Sequence, residues 1–262
     1  MDNKHSDIKT RKLSAAELIS LAAEVCRKKF RFLAAAGLAV FIPMSVFRAI
    51  LPNPLAYLKA DASGLIAVGD MGGFLRAVLP VFILNAVFAP LFVGAATHVA
   101  RRHVEDSHCG FPGIMDASLS KWGKLAATAI LYYIITALAS FMLIPGIFIA
   151  VACAFYPNVI SDGGPWGFGA FRESIALVRG RWFRTCCFLM LVNIVLAVVT
   201  TLLQAALYAV FAVFMSVDSL LSPGADIFVS LALDFAGMYF TVLIALWFLN
   251  RRYLQGETEF NA

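Results

Sequence analysis

Six stretches of the chain are apolar with few interruptions: Phe32–Leu51, Phe74–Ala100, Leu125–Leu143, Ile147–Ile160, Cys187–Met215 and Ile227–Asn250. A helix that crosses a bilayer needs about 20 apolar residues. Five of the six stretches reach that length or nearly so, and the fourth is short. Pro145-Gly146, just before it, reads as a tight turn between two helices. Whether residues 125–160 span fully or form a re-entrant pair, the chain returns to the side from which it entered. The pattern predicts an all-α fold, a polytopic membrane bundle of about six transmembrane helices. It forms a single domain over residues 1–262. Residues 1–31 are a tail with an amphipathic helix, residues 32–250 the bundle, and residues 251–262 a second tail.

The polar positions are patterned too. Before the first, third and fifth stretches a mixed or amphipathic segment leads into a basic and aromatic knot: Lys28-Lys29-Phe30-Arg31-Phe32, Lys121-Trp122-Gly123-Lys124 and Arg179-Gly180-Arg181-Trp182-Phe183-Arg184. Rings and cations together suit the headgroup level of a membrane. In the third copy Phe168, Phe171, Ile175, Val178 and Trp182 recur at helical spacing, with Arg172, Glu173, Arg179 and Arg181 off the stripe, as in a helix lying in the interface. In the first, Ser14-Ala15-Ala16-Glu17 has the form of a capping box, and Ile19, Ala22, Cys26 and Phe30 follow at helical spacing. The expected unit is an interfacial helix followed by a two-span hairpin, three times over.

Composition narrows the class. The 262 residues are 61% hydrophobic and 14% charged, with mean hydropathy +0.83. A soluble domain is about 45–50% apolar and about 25% charged, so a soluble globular enzyme, a disordered chain and a secreted disulfide scaffold are excluded. The five cysteines are odd in number and several lie in apolar runs, which argues against a disulfide framework. The net charge of +5 is unevenly placed. Of the 21 Lys and Arg, 18 fall in the N-terminal tail, the loops near 101–124 and 161–184, and the C-terminal tail; only Arg48, Lys59 and Arg76 fall on the opposite side. This is a strong positive-inside pattern. It predicts a bacterial inner-membrane protein with both termini cytoplasmic, meeting anionic lipid headgroups through Lys28, Lys29, Arg31, Lys121, Trp122, Lys124, Arg179, Arg181, Trp182 and Arg184. No basic patch of the nucleic-acid-binding kind is present. The first 31 residues are too long and too polar for a cleaved signal peptide.

Asp234 is the one acid well inside a span, about 12 Å along a helix from its start. A central acid costs about 2.5–3.5 kcal/mol on insertion scales. It is either a proton or cation relay or ligand contact, or a structural group that pairs with Arg76 or Arg48 or stays neutral and hydrogen-bonded. Asn85, Asn193 and Gln204 either line a polar path or bond between helices. Pro43, Pro80 and Pro90 fall where they can kink the first two spans. His98, His103, His108 and Cys109 are metal-capable types, but their spacing forms no paired ligand motif, and no metal or cofactor is expected. Gly163 to Gly169 is glycine-rich without the Lys-Ser/Thr of a phosphate loop. HExxH and GxSxG motifs are absent, and no catalytic residue is expected.

One region resembles a known group. Ile144-Pro145-Gly146-Ile147, a short span, and Ala170-Phe171-Arg172-Glu173-Ser174-Ile175-Ala176-Leu177-Val178-Arg179-Gly180-Arg181-Trp182 resemble the YciC-like bacterial inner-membrane proteins and the membrane domain attached to some glycerophosphoryl diester phosphodiesterases. The resemblance covers about 45 residues. It implies a six-span inner-membrane protein; the phosphodiesterase barrel is absent, so that activity does not carry over. Two functions remain in view. One is a non-enzymatic scaffold, partner subunit or envelope-maintenance protein. The other is a small-solute or ion transporter that uses Asp234.

Overall fold

A computed structural model describes residues 8–52, 54–60, 66–107, 110–215 and 222–260. Among the described residues the fold is carried by α1 (Ala15–Lys28), α2 (Phe30–Ile50), α3 (Met71–Val104), α4 (Phe111–Leu119), α5 (Trp122–Ser140), α6 (Leu143–Ala152), α7 (Tyr156–Ser161), α8 (Phe168–Val178), α9 (Trp182–Met215) and α10 (Ser222–Phe260). Six segments are long and apolar enough to cross a membrane: α2, α3, α5, residues 143–161 (α6 and α7 together), α9 and α10. The all-α polytopic bundle read from the hydrophobic pattern is the observed fold. One small departure is an antiparallel ribbon, β1 (Leu58–Ala60) paired with β2 (Ile66–Val68) in the register Leu58↔Val68, which the pattern did not predict.

α3 and α10 form the centre. α3 packs against α2, α4, α5, α7 and α10, and α10 against α1, α2, α3 and α9. Phe41 of α2 fills the junction between them, its ring 4.6 Å from Phe92 and 5.8 Å from Phe235. α9 meets the rest along α10 and the edge of α6, and most of its apolar side chains remain exposed, as suits a helix facing lipid.

The hairpin of α5 and α6 corrects one expectation. The turn lies at Phe141-Met142, where Met142 N–H donates to Ala139 O at 3.0 Å, and not at Pro145-Gly146. Pro145 falls in the first turn of α6, where its missing N–H removes no helical bond. Gly146 permits a close approach instead: a Cβ there would stand 2.9 Å from Ser140 Cα. The fourth span is also longer than predicted and is broken. Its helix ends at Ala152 and restarts at Tyr156. A break exposes backbone groups that hydrocarbon cannot satisfy. Ser174 of α8 repairs it, its Oγ accepting from Phe155 N–H at 3.1 Å and donating to Ala152 O at 2.8 Å.

The three short helices α1, α4 and α8 do precede the first, third and fifth spans, and each docks on the bundle. Their faces differ from the predicted stripes. On α8 the buried side is Ala170, Phe171, Ser174, Leu177 and Val178, while Phe168 and Ile175 point outward. On α1 it is Leu18, Leu21, Ala22 and Val25, while Ile19 is exposed; Phe30, also exposed, is the first residue of α2. In both helices the apolar arc is wider than one stripe, and only one side of it packs on protein. The capping box is present: Ser14 Oγ accepts from Glu17 N–H, Glu17 Oε2 accepts from Ser14 N–H at 2.7 Å, and Arg11 holds the other carboxylate oxygen at 2.7 Å.

A clamp that the sequence did not advertise ties the two ends of the chain together. Asn250 is buried near the end of α10. Its Nδ2 donates to Ile8 O at 2.8 Å and Arg11 O at 2.9 Å, and its Oδ1 accepts from Leu13 N–H at 3.2 Å. Replacing Asn250 with Leu strands these buried backbone groups, at about 1–3 kcal/mol each. Amides of residues 8–14 are expected to exchange faster in hydrogen-exchange mass spectrometry while those of the spans keep their protection. The cap makes a second prediction. Arg11 and then Ser14 hold the Glu17 carboxyl down at about 2, from an ordinary 4.5. A depressed acid contributes stability above its unfolded pKa and loses it as pH falls through the folded one. Between about pH 4.5 and 2 the start of α1 is therefore expected to fray, read as faster exchange at residues 14–18. Glu17→Gln is expected to remove that acid step.

Candidate functional site

The polar residues of the spans gather at one place. Arg48 Nη1 donates to both oxygens of Asp234, at 3.1 and 3.0 Å, and Arg48 Nη2 donates to Asn85 Oδ1 at 3.1 Å. Asn85 is anchored in turn by donating its own amide hydrogen to Val81 O at 2.7 Å. Three helices contribute: Arg48 from the end of α2, Asn85 from α3 and Asp234 from α10. Asn85 lies about 21 Å from the start of α3 and about 29 Å from its end, counted at 1.5 Å per residue, while Arg48 lies in the last turn of α2.

Of the two predicted partners of Asp234, Arg48 is the observed one. Arg76 is exposed on α3 and bonds its own helix, donating from Nε to Gly72 O at 3.2 Å. A signal for this choice exists in the sequence. Arg48 continues the buried row Gly37, Phe41 and Met44 at spacings of four, three and four, which puts it on the face that meets α3 and α10. Arg76 has exposed Leu75 and Leu79 as neighbours.

The ion pair lines a cavity of about 610 Å³ between α2, α3, α9 and α10. Phe41, Phe92 and Ala89 form part of its wall, and Asn193, Thr200 and Thr241 add polar side chains. Asn193 donates to Leu189 O at 2.8 Å and Thr241 to Gly237 O at 3.2 Å, bonds within their own helices. Asn193 also lines a second, mostly apolar cavity of about 470 Å³ toward α5 and α6. Gln204 is exposed on α9 and lines neither cavity. The side chains of Arg48 and Asp234 keep 27% and 18% of their surface exposed. The pair borders this open groove. Its chemistry is that of a paired cation and anion in a partly apolar cavity, able to meet a polar solute or to pass a proton or cation at the carboxylate.

The basic and aromatic knots serve partly as ties within the bundle. Lys121 Nζ donates to Ser161 O at 2.7 Å, and its partial burial, more than any neighbouring charge, lowers its ammonium pKa. Trp122 Nε1 donates to Val87 O at 2.8 Å, and Trp182 stacks on Phe148 at 5.6 Å. Lys28 pairs with Glu24 at 2.7 Å. Arg31, Lys124, Arg179, Arg181 and Arg184 are exposed, and Lys29 is half-buried. At the same end of the bundle Asp162 binds Arg101 and Arg252, each at 2.7 Å, and Arg252 reaches Glu173 at 3.5 Å. The sequence reading did not single out Asp162; its one mark was its place just before Gly163-Gly164. Among the described residues no group of three or more metal-capable side chains is close enough to hold an ion; His108 and Cys109 lie outside the described residues.

The Arg48–Asp234 pair makes a stability prediction. Asp234→Leu leaves the Arg48 charge inside the bundle without a counter-ion, and Arg48→Met does the converse; each is expected to cost about 2–4 kcal/mol. The double variant leaves no orphaned charge and is expected to cost about 2 kcal/mol less than the sum. Unfolding of the detergent-solubilised protein followed by circular dichroism measures the cycle. No protein-family model matches the chain, and no curated protein or solved structure matches it.

Proposed function

We propose that this is a non-enzymatic multi-pass protein of the bacterial inner (plasma) membrane with both termini cytoplasmic, and that it binds or passes a small polar solute or ion at the Arg48–Asp234 pair. The cavity of about 610 Å³ carries this reading. An arginine, an aspartate, two asparagines and two threonines converge on it from four helices. A bilayer-depth charge costs about 2.5–3.5 kcal/mol, and a pair needed only for neutrality calls for neither the open volume nor the further amides and hydroxyls. The orientation rests on the placing of the cations. Arg101, Lys121, Arg251 and Arg252 lie at the end of the bundle where residues 8–13 dock, the end that the positive-inside rule puts in the cytoplasm. The absence of HExxH and GxSxG motifs supports the non-enzymatic part.

A scaffold or partner-subunit role is the second reading. It draws on α9, whose 34 residues touch the rest along one side only.

Water access separates the two. In a variant with the five native cysteines replaced, Thr200→Cys places a thiol on the cavity wall and Leu202→Cys places one on the exposed apolar side of the same helix. The thiolate, which forms only where water reaches, attacks charged thiol reagents. Thr200→Cys is expected to label from one side of the membrane at least about tenfold faster than Leu202→Cys. Asp234→Asn is expected to change the rate at Thr200→Cys and not at Leu202→Cys. Equal, slow labelling at both positions means a dry cavity; the carrier reading then falls and the scaffold reading stands.

A further inference from the structure

Arg251 and Arg252 are consecutive, and the structure treats them in opposite ways. Arg252 is held by Asp162 and Glu173. Arg251 is more deeply buried, only 7% exposed, and has no carboxylate partner among the described residues. Its guanidinium lies 4.5 Å from the Trp247 ring centroid and 6.0 Å from that of Phe155, and Nη1 donates to Leu177 O at 3.1 Å near the end of α8. Aromatic faces and one carbonyl offset part of the desolvation of a guanidinium. They leave its net charge uncompensated.

A small, strongly polar cavity of about 190 Å³ opens beside Arg251. Arg179, Arg181 and Gln255 line it, with Leu177 and Leu254. Gly180, at φ +76°, turns the backbone sharply between Arg179 and Arg181. Lys12 and Arg184 belong to the same field: desolvation first, then the charges of Arg184, Arg181 and Arg251, lower the Lys12 ammonium pKa. Three arginines from two separate segments thus line one cavity, Lys12 and Arg184 add their charges to the same field, and among the described residues no acidic side chain lines it. Like charges repel, so a fold that collects them beside a buried arginine is arranged for an anion. The donors suit a tetrahedral oxyanion: guanidinium forks meet phosphate oxygens in pairs, and the carboxamide of Gln255 can donate as well.

We propose that the cavity formed by Arg179, Arg181, Arg251 and Gln255 is a specific binding site for a phosphate group. It is independent of the Arg48–Asp234 cavity, with which it shares no lining residue. The phosphate group can be that of an anionic phospholipid headgroup or of a free soluble phosphate.

The test uses the full chain purified in a neutral detergent. Short-chain phosphatidylglycerol, inorganic phosphate and short-chain phosphatidylcholine are titrated separately, with binding read by calorimetry and by native mass spectrometry. Expected is saturable binding of one anion per chain. The double variant Arg179→Gln/Arg181→Gln, at exposed positions, is expected to bind at least about tenfold more weakly. Arg102→Gln/Arg172→Gln, which removes the same charge from exposed positions outside the cavity, is expected to bind within about twofold of the parent chain. Arg251→Lys keeps the charge but loses the fork, and is expected to weaken binding as well. Saturation by phosphatidylglycerol alone assigns the site to a lipid headgroup; saturation by inorganic phosphate, with competition between the two, assigns it to a soluble phosphate. Non-saturable binding of every probe, equal affinity for phosphatidylcholine, or equal losses in the two double variants overturns the proposal.

Discussion

Hydrocarbon offers no hydrogen bonds, so each backbone N–H and C=O at membrane depth must be answered from within the protein. Most of this chain meets the requirement with unbroken helices. The fourth span does not, because it ends at Ala152 and restarts at Tyr156. A single hydroxyl, Ser174 Oγ, answers one donor and one acceptor of that break. Much else follows from this contact. It fixes α8 under the break, and α8 carries Leu177, whose carbonyl receives Arg251, and leads into Gly180 and the start of α9. Asn158, just past the break, donates to Thr97 of α3 at 2.9 Å and ties the same region to the central helix. Within the Ala170–Trp182 segment, Ala170, Ser174 and Leu177 are buried and Gly180 has positive φ; these residues act as joinery.

The same rule governs side chains, and the two ends of the molecule apply it differently. Toward the chain termini, charge is dense and part of it is answered by charge: Asp162 with Arg101 and Arg252, Glu17 with Arg11, Glu24 with Lys28. Between the spans one cation and one anion answer each other, with Asn85 completing the set. Two places break the economy. The Arg48–Asp234 pair faces open volume, and Arg251 keeps a positive charge without a carboxylate.

Much of the fold was legible in the sequence because hydropathy over a span-length window integrates many residues and tolerates local error. The six spans, the helices before three of them and the Ser14–Glu17 cap all follow from such local patterns. What was not legible depends on which helix lies next to which. Nothing in the short-range sequence distinguishes Arg48 from Arg76 as the mate of Asp234 until the row Gly37, Phe41, Met44 is seen to point at α10. Asn250 read as the last residue of a span and turned out to hold residues 8, 11 and 13. The turn at Pro145-Gly146 was misread because proline and glycine mark turns in water, whereas here they permit the first turn of a helix and its close approach to α5.

The hairpin of α5 and α6 has a consequence for how the chain enters its membrane. From Leu125 to Ser161 there are 37 residues without a single charged or histidine side chain, and at its tip Phe141, Met142, Leu143 and Ile144 are 71–89% exposed. No hydrophilic loop has to be carried through the hydrocarbon for this pair of helices to reach its final depth. With the chain termini on the side of synthesis, the hairpin can partition as one body from that side, driven by apolar transfer alone, whereas the segments holding Lys59 and Asp226 would then move charge across.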